Sequence, residues 1–251
     1  IQIYGNTIND VYIGVRLGGA GPFYNTVVRN NVFYNVTWQG LAGMGVGIGT
    51  PANTTWPLSS VNSQVYNNTI DCGGVGYGLV SQMGNADSIF IFNNIIYNSA
   101  RNAEYATGIG FKNEGATVTH VYEDYNMFYG RADHLYYAWG WGTAYTIAQW
   151  VALNLSTFYA GYATHDVEAN PLFTNYAAHD YRPQAGSPVL TAGRSGVWPV
   201  YIGAFGDTAS TITGYLSISD VTVTEGTTAT FTVTLSAAQA TNLSFSYATN
   251  A

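Results

Sequence analysis

Three side chains of the sequence have the chemistry that acid–base catalysis needs. Lys112 is the only lysine of the chain, Glu114 follows it in the segment FKNEG, and His134 stands further along the chain. Such groups catalyse proton transfer only where they converge on a substrate. If the chain is an enzyme, we therefore expect these three residues to lie close together on neighbouring strands. The alternative interpretation is that FKNEG is an exposed turn whose charges are solvated.

The carboxylates offer no second catalytic pattern. A glycoside hydrolase needs two or three carboxylates a short distance apart on neighbouring elements. Glu123 and Asp124 are consecutive, so on a strand their side chains face opposite ways. Asp166 and Glu168 have the spacing of residues on one face of a strand, and we interpret them as structural.

Other catalytic and metal-binding motifs are missing from the sequence. It contains no CxxC, HExxH or GxSxG motif, and the segment GVGIG at residues 45–49 has no helix pattern after it. The four histidines are spread too widely to indicate a metal site. The single Cys72 cannot form a disulfide within the chain.

Aromatic residues are the more informative group, because Phe, Trp and Tyr make up 15% of the chain. Aromatic rings can stack on sugars, and tyrosine hydroxyls can add hydrogen bonds. We predict a carbohydrate-binding surface formed by Trp38, Trp56, Tyr66, Phe92, Tyr136, Tyr137, Trp139 and Trp141. The alternative is that outward rings stack on one another as a stabilising ladder that long loops cover. Trp150 lies in a short helix pattern, and we expect it to be buried.

The scarcity of charge restricts the partners. The chain has 7 basic and 14 acidic residues, a net charge of -7, and no cluster of Lys and Arg, which excludes nucleic acid as a main partner. A polyuronate would be repelled unless calcium bridged it. No apolar run reaches the length of a membrane span, so we expect no membrane partner. Few charges together with abundant Tyr, Asn, Gly, Ser and Thr favour an extracellular or cell-surface location.

A repeat organises the first half of the chain. Short β-type segments align on Asn6, Asn31, Asn68, Asn94 and Asn126. Two residues after each Asn stands a large apolar side chain, and three residues before it stands Ile or Val, except that Glu123 breaks this column in the last copy. We expect each of these Asn residues to adopt the left-handed conformation of a sharp bend. Stacked copies would also let the Asn amides bond to one another.

Two further features of the repeat predict which side chains face outward and where a third strand lies. The residues two before and three after the aligned Asn are out of phase with the apolar columns, so we expect them to face outward; they include Tyr4, Arg29, Tyr66, Phe92, Asp124, Tyr34, Tyr97 and Tyr129. A third strand follows in each repeat, and its aligned pairs are predicted to be Gly14-Val15, Gly47-Ile48, Gly78-Leu79 and Gly110-Phe111.

The repeat resembles the right-handed parallel β-helix family of pectate-lyase-like proteins. The resemblance covers residues 1–206 and includes the ending IAQWVALN, NPLF, AGSPVL and YIGAFG, in which a short helix with a Trp precedes an NPLF strand. It implies an all-β fold, a right-handed parallel β-helix solenoid with an Asn-turn ladder. Related lyases use Lys or Arg as the base, with calcium or another cation neutralising the uronate, which makes Lys112 the candidate base. The same fold also carries hydrolases, adhesins and binding modules.

The sequence pattern of the last part of the chain indicates a second structural unit. Residues 207–214 are small and polar, which indicates a linker. Residues 215–251 alternate apolar and polar side chains, as half-buried antiparallel strands do, and resemble the opening strands of a Calx-beta sandwich. Some members of that family bind calcium, and Asp220 and Glu225 stand at matching positions. Two carboxylates alone are too few ligands for calcium.

These observations predict an extracellular β-helix module that recognises a polysaccharide, with a plant cell-wall glycan as the expected class. The alternatives are a polysaccharide lyase or glycoside hydrolase of the same fold, and a structural stalk or adhesin module. The first residues already have strand and turn character, so we expect the chain to be cut from a longer multimodular bacterial protein. The expected partners are a polysaccharide and the other modules of that polypeptide, and the only cofactor considered is calcium.

Overall fold

The computed structural model describes parts of the chain, and in some of them only the backbone. They are residues 1–17, 23–38, 41–42, 44–48, 60–73, 77–82, 86–97, 108–112, 118–130, 136–138, 144–156, 158–194, 200–205, 216–218 and 230–235 without 231. The chain divides into two compact units, Ile1–Gly206 and Asp207–Ala251.

Parallel β-sheets make up most of the described first unit, and we name them sheets A, B and C. Sheet A contains the strands Gln2–Tyr4, Phe23–Tyr24, Val27–Arg29, Ser60–Tyr66, Ala86–Phe92 and Val118–Asp124. Sheet B contains the strands Thr7–Val11, Val32–Trp38, Leu41–Ala42, Thr69–Asp71, Ile95–Tyr97, Met127–Tyr129 and Val167–Glu168. Sheet C contains the strands Ile13–Leu17, Met44–Ile48, Tyr77–Gln82, Ile109–Lys112, Tyr136–Ala138 and Ala144–Tyr145. The pairing is parallel except at Leu41–Ala42 and Ala144–Tyr145.

The chain visits the sheets in a fixed order, from A to B to C and back to A. Each return places a strand beside its equivalent in the previous repeat, so that Ile91 lies opposite Val65 and Ile96 opposite Ile70. The register confirms both apolar columns that the repeat predicted. The pattern of one repeat is copied in the next, so equal positions meet across each parallel pair.

The register of sheet C differs from the prediction by two residues. Val15 pairs with Val46, and Leu79 pairs with Ile109. The alignment of the glycine pairs predicts Ile48 opposite Val15 and Phe111 opposite Leu79. A shift of two residues keeps each side chain on the same face of a strand, so the pattern alone could not choose between the two registers. The predicted third strand of each repeat is nevertheless present as sheet C.

The core lies behind the inward faces of the sheets. Fully buried residues in it include Val28, Phe33, Val46, Val65, Ile70, Ile91, Ile109 and Phe128. Packing is close where sheet C approaches sheet B: a Cβ atom on Gly14 would lie 2.5 Å from the carbonyl oxygen of Gly45 and 2.5 Å from the ring of Phe33. This position therefore has room only for glycine.

The aligned asparagines form a stack, for which we keep the name asparagine stack: Asn6, Asn31, Asn68, Asn94 and Asn126. The Nδ2 of each of the first four donates to the Oδ1 of the next, over 3.0 to 3.1 Å. The backbone N–H of each of these four donates to the same Oδ1 over 3.1 Å. The members from Asn31 onward are fully buried, so these bonds satisfy polar groups that have no access to water.

The left-handed conformation is found one residue before the position that the repeat predicts. It is adopted by the residue before each member of the stack, namely Gly5, Asn30, Asn67, Asn93 and Tyr125, with φ between 51° and 68°. The prediction for the stack residues themselves is wrong, because their side chains serve the hydrogen-bond chain while the preceding residue makes the bend. Three of these five bend residues are Asn and one is Gly, which tolerate positive φ best.

Short elements lie beside and after the last parallel strand. The helix Ile147–Ala152 begins with a capping box, in which Thr146 and Gln149 bond reciprocally, and its Trp150 is fully buried, as predicted. The strands Phe173–Asn175 and Asp180–Pro183 form an antiparallel hairpin around the 3-10 helix Tyr176–Ala178, and a second 3-10 helix is Pro188–Leu190. In the second unit, strands Leu216–Ile218 and Val233–Leu235 pair antiparallel.

Candidate functional site

The predicted acid–base residues fall mostly outside the described part of the chain. Lys112 ends the strand Ile109–Lys112 opposite Gln82, and its side chain is not among the described ones. Glu114 and His134 lie outside the described residues, as do Asp220 and Glu225 of the second unit. Their convergence stays a prediction.

The predicted sugar-binding aromatics divide into four groups. Trp56, Trp139 and Trp141 lie outside the described residues, and only the backbone of Trp38 and Tyr137 is described. Tyr66 is half-buried. Tyr136 and Phe92 are both 0% exposed, so the prediction that these two rings are accessible to a glycan is wrong.

Phe92 is buried because a later segment covers the outer face of sheet A. The ring of Phe92 stacks on Tyr66 with centroids 5.1 Å apart, and the guanidinium of Arg194 lies 5.9 Å from the Phe92 ring. The covering segment is held by the backbone N–H of Arg194, which donates to Asn93 Oδ1 over 2.8 Å, and by Asn67 Nδ2, which donates to the carbonyl of Tyr201 over 2.7 Å. Phe92 therefore lies in a covered ladder with Tyr66, whereas Tyr4 at the equivalent position of the first repeat is 55% exposed.

Tyr136 is buried because its strand turns it into the core. It pairs with Ile109 in sheet C, and its ring lies parallel to that of Trp150 with centroids 5.0 Å apart. The Tyr136 hydroxyl contacts Glu123 Oε1 at 2.8 Å and also an oxygen of Asp166. Tyr136 is therefore part of a buried polar cluster.

The outer face of sheet B carries accessible rings, which we name the tyrosine strip: Tyr97, Tyr129 and Tyr176. Tyr97 and Tyr129 pair across adjacent strands, with ring centroids 5.4 Å apart. Tyr176, from the 3-10 helix of the hairpin, lies 4.7 Å from Tyr97. Tyr97 and Tyr129 are half-buried and Tyr176 is 37% exposed. The outward position of Tyr97 and Tyr129 agrees with the repeat pattern.

Asp71 anchors the hairpin that completes the strip. It stands in the strand column of Tyr97, is 3% exposed, and its Oδ2 accepts from the hydroxyl of Tyr181 over 2.7 Å. Burial and the charge of Asp71 raise the pKa of Tyr181, and burial likewise raises the pKa of Tyr97. Both hydroxyls therefore keep their protons at neutral pH and can donate hydrogen bonds.

A second polar site lies at the end of sheet A. Asp124 is buried, and its Oδ2 lies 2.7 Å from Nδ1 of His165, whose side chain is 57% exposed. The backbone N–H of His165 also donates to Asp124 Oδ1 over 2.7 Å, and the ring of Tyr125 stacks on the imidazole with centroids 4.4 Å apart. The contact orients the imidazole through Nδ1 and leaves Nε2 as the nitrogen for an outside partner.

The four carboxylates considered for a hydrolase, Glu123, Asp124, Asp166 and Glu168, agree only in part with the sequence pattern. Glu123 points into the core and Asp124 outward, as predicted for consecutive residues. Asp166, however, is buried while Glu168 is exposed, so these two do not share one environment. The partner of Asp166 is Glu123, through Tyr136.

The sequence carries a signal for both clusters. Asp71 replaces the aromatic residue in the column of Tyr34, Tyr97 and Tyr129, and Glu123 replaces Ile or Val in the inward column. A charged residue that interrupts a repeated column needs a partner, because an unpaired buried charge is costly. The partners could not be named, because Tyr181 and Asp166 come from outside the repeat.

Among the described residues, no group of three or more His, Cys, Asp or Glu is arranged to hold a metal ion. Within the same part of the chain, no helix has the length and apolar character that crossing a bilayer requires. No protein-family model, no curated protein and no solved structure matches this chain.

Proposed function

We propose that residues 1–206 form a right-handed parallel β-helix of the pectate-lyase-like kind. Three observations support it: the fixed order in which the chain visits sheets A, B and C, the parallel register between repeats, and the buried asparagine stack. A coil of three short strands that stacks on its neighbour is the unit of such a fold. For residues 215–251, the resemblance to a Calx-beta domain supports a β-sandwich segment.

The function that we propose is extracellular recognition of a polysaccharide, without cleavage, at the tyrosine strip. The observation that carries the proposal is the set of three tyrosine rings within 5.4 Å of a neighbour on the outer face of a parallel sheet. Rings held on a sheet keep their positions, so little conformational entropy is lost when a ligand binds. Neighbouring strands lie about 4.8 Å apart, which is close to the length of one sugar unit.

A neutral plant cell-wall or microbial glycan fits the strip better than a polyuronate. The carboxylate of Asp71 lies behind the strip, within 3.5 Å of the Tyr176 hydroxyl, and the whole chain has a net charge of -7. A negative surface disfavours a polyanion. A uronate polymer would need calcium as a bridge between its carboxylates and the protein.

Affinity electrophoresis of the full chain against neutral and uronic polysaccharides, with calcium and with chelator, tests this proposal. We expect retardation by at least one neutral polysaccharide, and about fivefold weaker binding for Tyr129→Ala, since one stacking contact contributes about 1 kcal/mol beyond its buried area. Tyr24→Ala is the matched control, because Tyr24 is a strand tyrosine of sheet A with 55% exposure. Equal binding by the two variants would contradict the assignment of the strip.

The second candidate function is a polysaccharide lyase or glycoside hydrolase. The specific observation in its favour is the exposed imidazole of His165 held by the buried carboxylate of Asp124, because a general base needs such orientation. Absorbance at 235 nm would detect the unsaturated product of a lyase, and His165→Ala and Lys112→Ala would then separate the two candidate bases. A protein that neither binds nor cleaves any glycan would instead support the stalk or adhesin alternative.

A further inference from the structure

The asparagine stack ends in carboxyl groups. In every earlier repeat, the next Asn accepts from both the backbone N–H and the Nδ2 of its neighbour. At Asn126 the acceptors are different: its backbone N–H donates to Asp166 Oδ1 over 2.6 Å, and its Nδ2 donates to Glu123 Oε1 over 2.8 Å. Asp166 thus stands where the repeat would place another Asn.

The contacts between these groups require a proton beyond that of the tyrosine. The hydroxyl of Tyr136 contacts both Glu123 Oε1 and Asp166 Oδ2, but it has only one hydrogen to donate. If it donates to one carboxyl, its oxygen must accept a hydrogen from the other. If both carboxyls were ionised, no hydrogen would lie in one of the two contacts, and the lone pairs of the tyrosine oxygen would face those of a carboxylate oxygen.

The surroundings also disfavour two ionised carboxylates. Glu123 is 0% and Asp166 8% exposed, and among the described residues no lysine or arginine donates to either of them. The groups that face the pair are Tyr136 from sheet C, Asn126 from the bend between sheets A and B, and the indole of Trp150 from the helix, all neutral. A further carboxyl that acts on the pair is Asp124, which also raises the pKa of Asp166 and is held by His165.

We infer that Glu123 and Asp166 hold one proton between them in the native protein, as a proton-binding site that closes the asparagine stack. The site joins the residues around Asp166 to the end of the repeat. The same segment is attached by backbone bonds from Ala163 N–H to the Glu123 carbonyl and from Val167 N–H to the Asn126 carbonyl, each 2.9 Å long. Loss of the shared proton places two negative charges against each other and weakens this attachment.

The pH range follows from burial. Burial raises the pKa of Glu123 to about 8, and burial together with the Glu123 charge raises the pKa of Asp166 well above its usual value. In an unfolded chain, Glu ionises at about pH 4.3. Between about pH 4.3 and 8 the folded chain keeps a proton that the unfolded chain has released, so stability is full below this range and falls as the pH rises through it. One such proton raises the unfolding equilibrium constant about tenfold per pH unit.

Urea unfolding of the full chain between pH 5 and 9 measures how the free energy of unfolding depends on pH, and this dependence gives the number of protons released on unfolding. We expect that the double variant Glu123→Gln/Asp166→Asn, which keeps both shapes and cannot ionise at either position, removes about one proton from the pH dependence. The unfolding equilibrium constant of this variant should then lose the tenfold change per pH unit that the unmodified protein shows. Asp180→Asn is the matched control, since Asp180 pairs with Arg182 at the surface and has a lowered pKa. An unchanged pH dependence in Glu123→Gln/Asp166→Asn would overturn the inference.

A second measurement does not depend on a variant that folds. The infrared carbonyl band of a protonated carboxylic acid is separate from that of carboxylate, and exposed carboxyls are ionised at pH 7. We expect the unmodified protein to keep a protonated-acid band at pH 7 and to lose it as the pH rises past about 8. Absence of the band at pH 6.5 would show that both carboxyls are ionised and would also overturn the inference.

Discussion

Removal of Asn68 from the middle of the asparagine stack should destabilise the protein severely. The Asn68 side chain makes five hydrogen-bond contacts. Its Oδ1 accepts from the backbone N–H and the Nδ2 of Asn31, and the two hydrogens of its Nδ2 are shared among oxygens of Val28, Tyr66 and Asn94. The residue is fully buried, so Asn68→Ala leaves the former partners without access to water. At about 1 kcal/mol for each lost bond, we expect the free energy of unfolding to fall by about 4 to 5 kcal/mol.

The same substitution at the exposed end of the stack is the matched control. The Asn6 side chain donates to Tyr4 and Asn31, and Asn6 is exposed, so water can replace these partners. We expect Asn6→Ala to cost about 1 kcal/mol or less.

Urea denaturation of the full chain, followed by far-ultraviolet circular dichroism, compares the two variants. A protein domain is stable by only about 5 to 15 kcal/mol, so the Asn68→Ala transition should move to much lower urea while that of Asn6→Ala stays near the original. Losses within 1 kcal/mol of each other would refute the reasoning that burial of the stack makes its bonds important.

Two further substitutions test the site and the core. Asp71→Ala removes the charged acceptor of Tyr181, so we expect about 2 kcal/mol lower stability and weaker glycan binding through displacement of the hairpin; binding that survives would show that the hairpin is not part of the site. Gly14→Ala places a Cβ atom 2.5 Å from the Gly45 carbonyl and the Phe33 ring, so we expect about 1 to 3 kcal/mol lower stability from overpacking in thermal denaturation, and an unchanged midpoint would show that the sheets can separate at this point.

The repeat made much of the fold predictable. Both apolar columns, the stack of Asn residues and the burial of Trp150 follow from residue types at fixed spacings, because a parallel register brings equal positions of successive repeats together. The repeat predicts the left-handed bend one residue too late, at Asn31 instead of Asn30. Both are Asn, and only the backbone geometry separates the residue that bends from the residue that bonds.

Accessibility of the outward rings could not be predicted in the same way. Phe92 and Tyr97 both stand at outward positions of the repeat, yet Phe92 is fully buried while Tyr97 is half-buried beside Tyr176. The difference comes from Arg194, whose backbone bonds to Asn93 across 101 residues. No local pattern encodes which face such a distant segment covers.

The sequence by itself determined the inward columns, the outward columns and the chain of amide bonds, since these depend on a pattern that each repeat carries. The tertiary structure decided which outward rings stay accessible. It also decided which partners bind the carboxyls that interrupt the repeated columns. Asp71 meets Tyr181, and Glu123 meets Asp166 through Tyr136. The physical reason is that a buried carboxyl must find its partner in three dimensions, and these partners lie on elements outside the repeat that the chain folds back against the sheets.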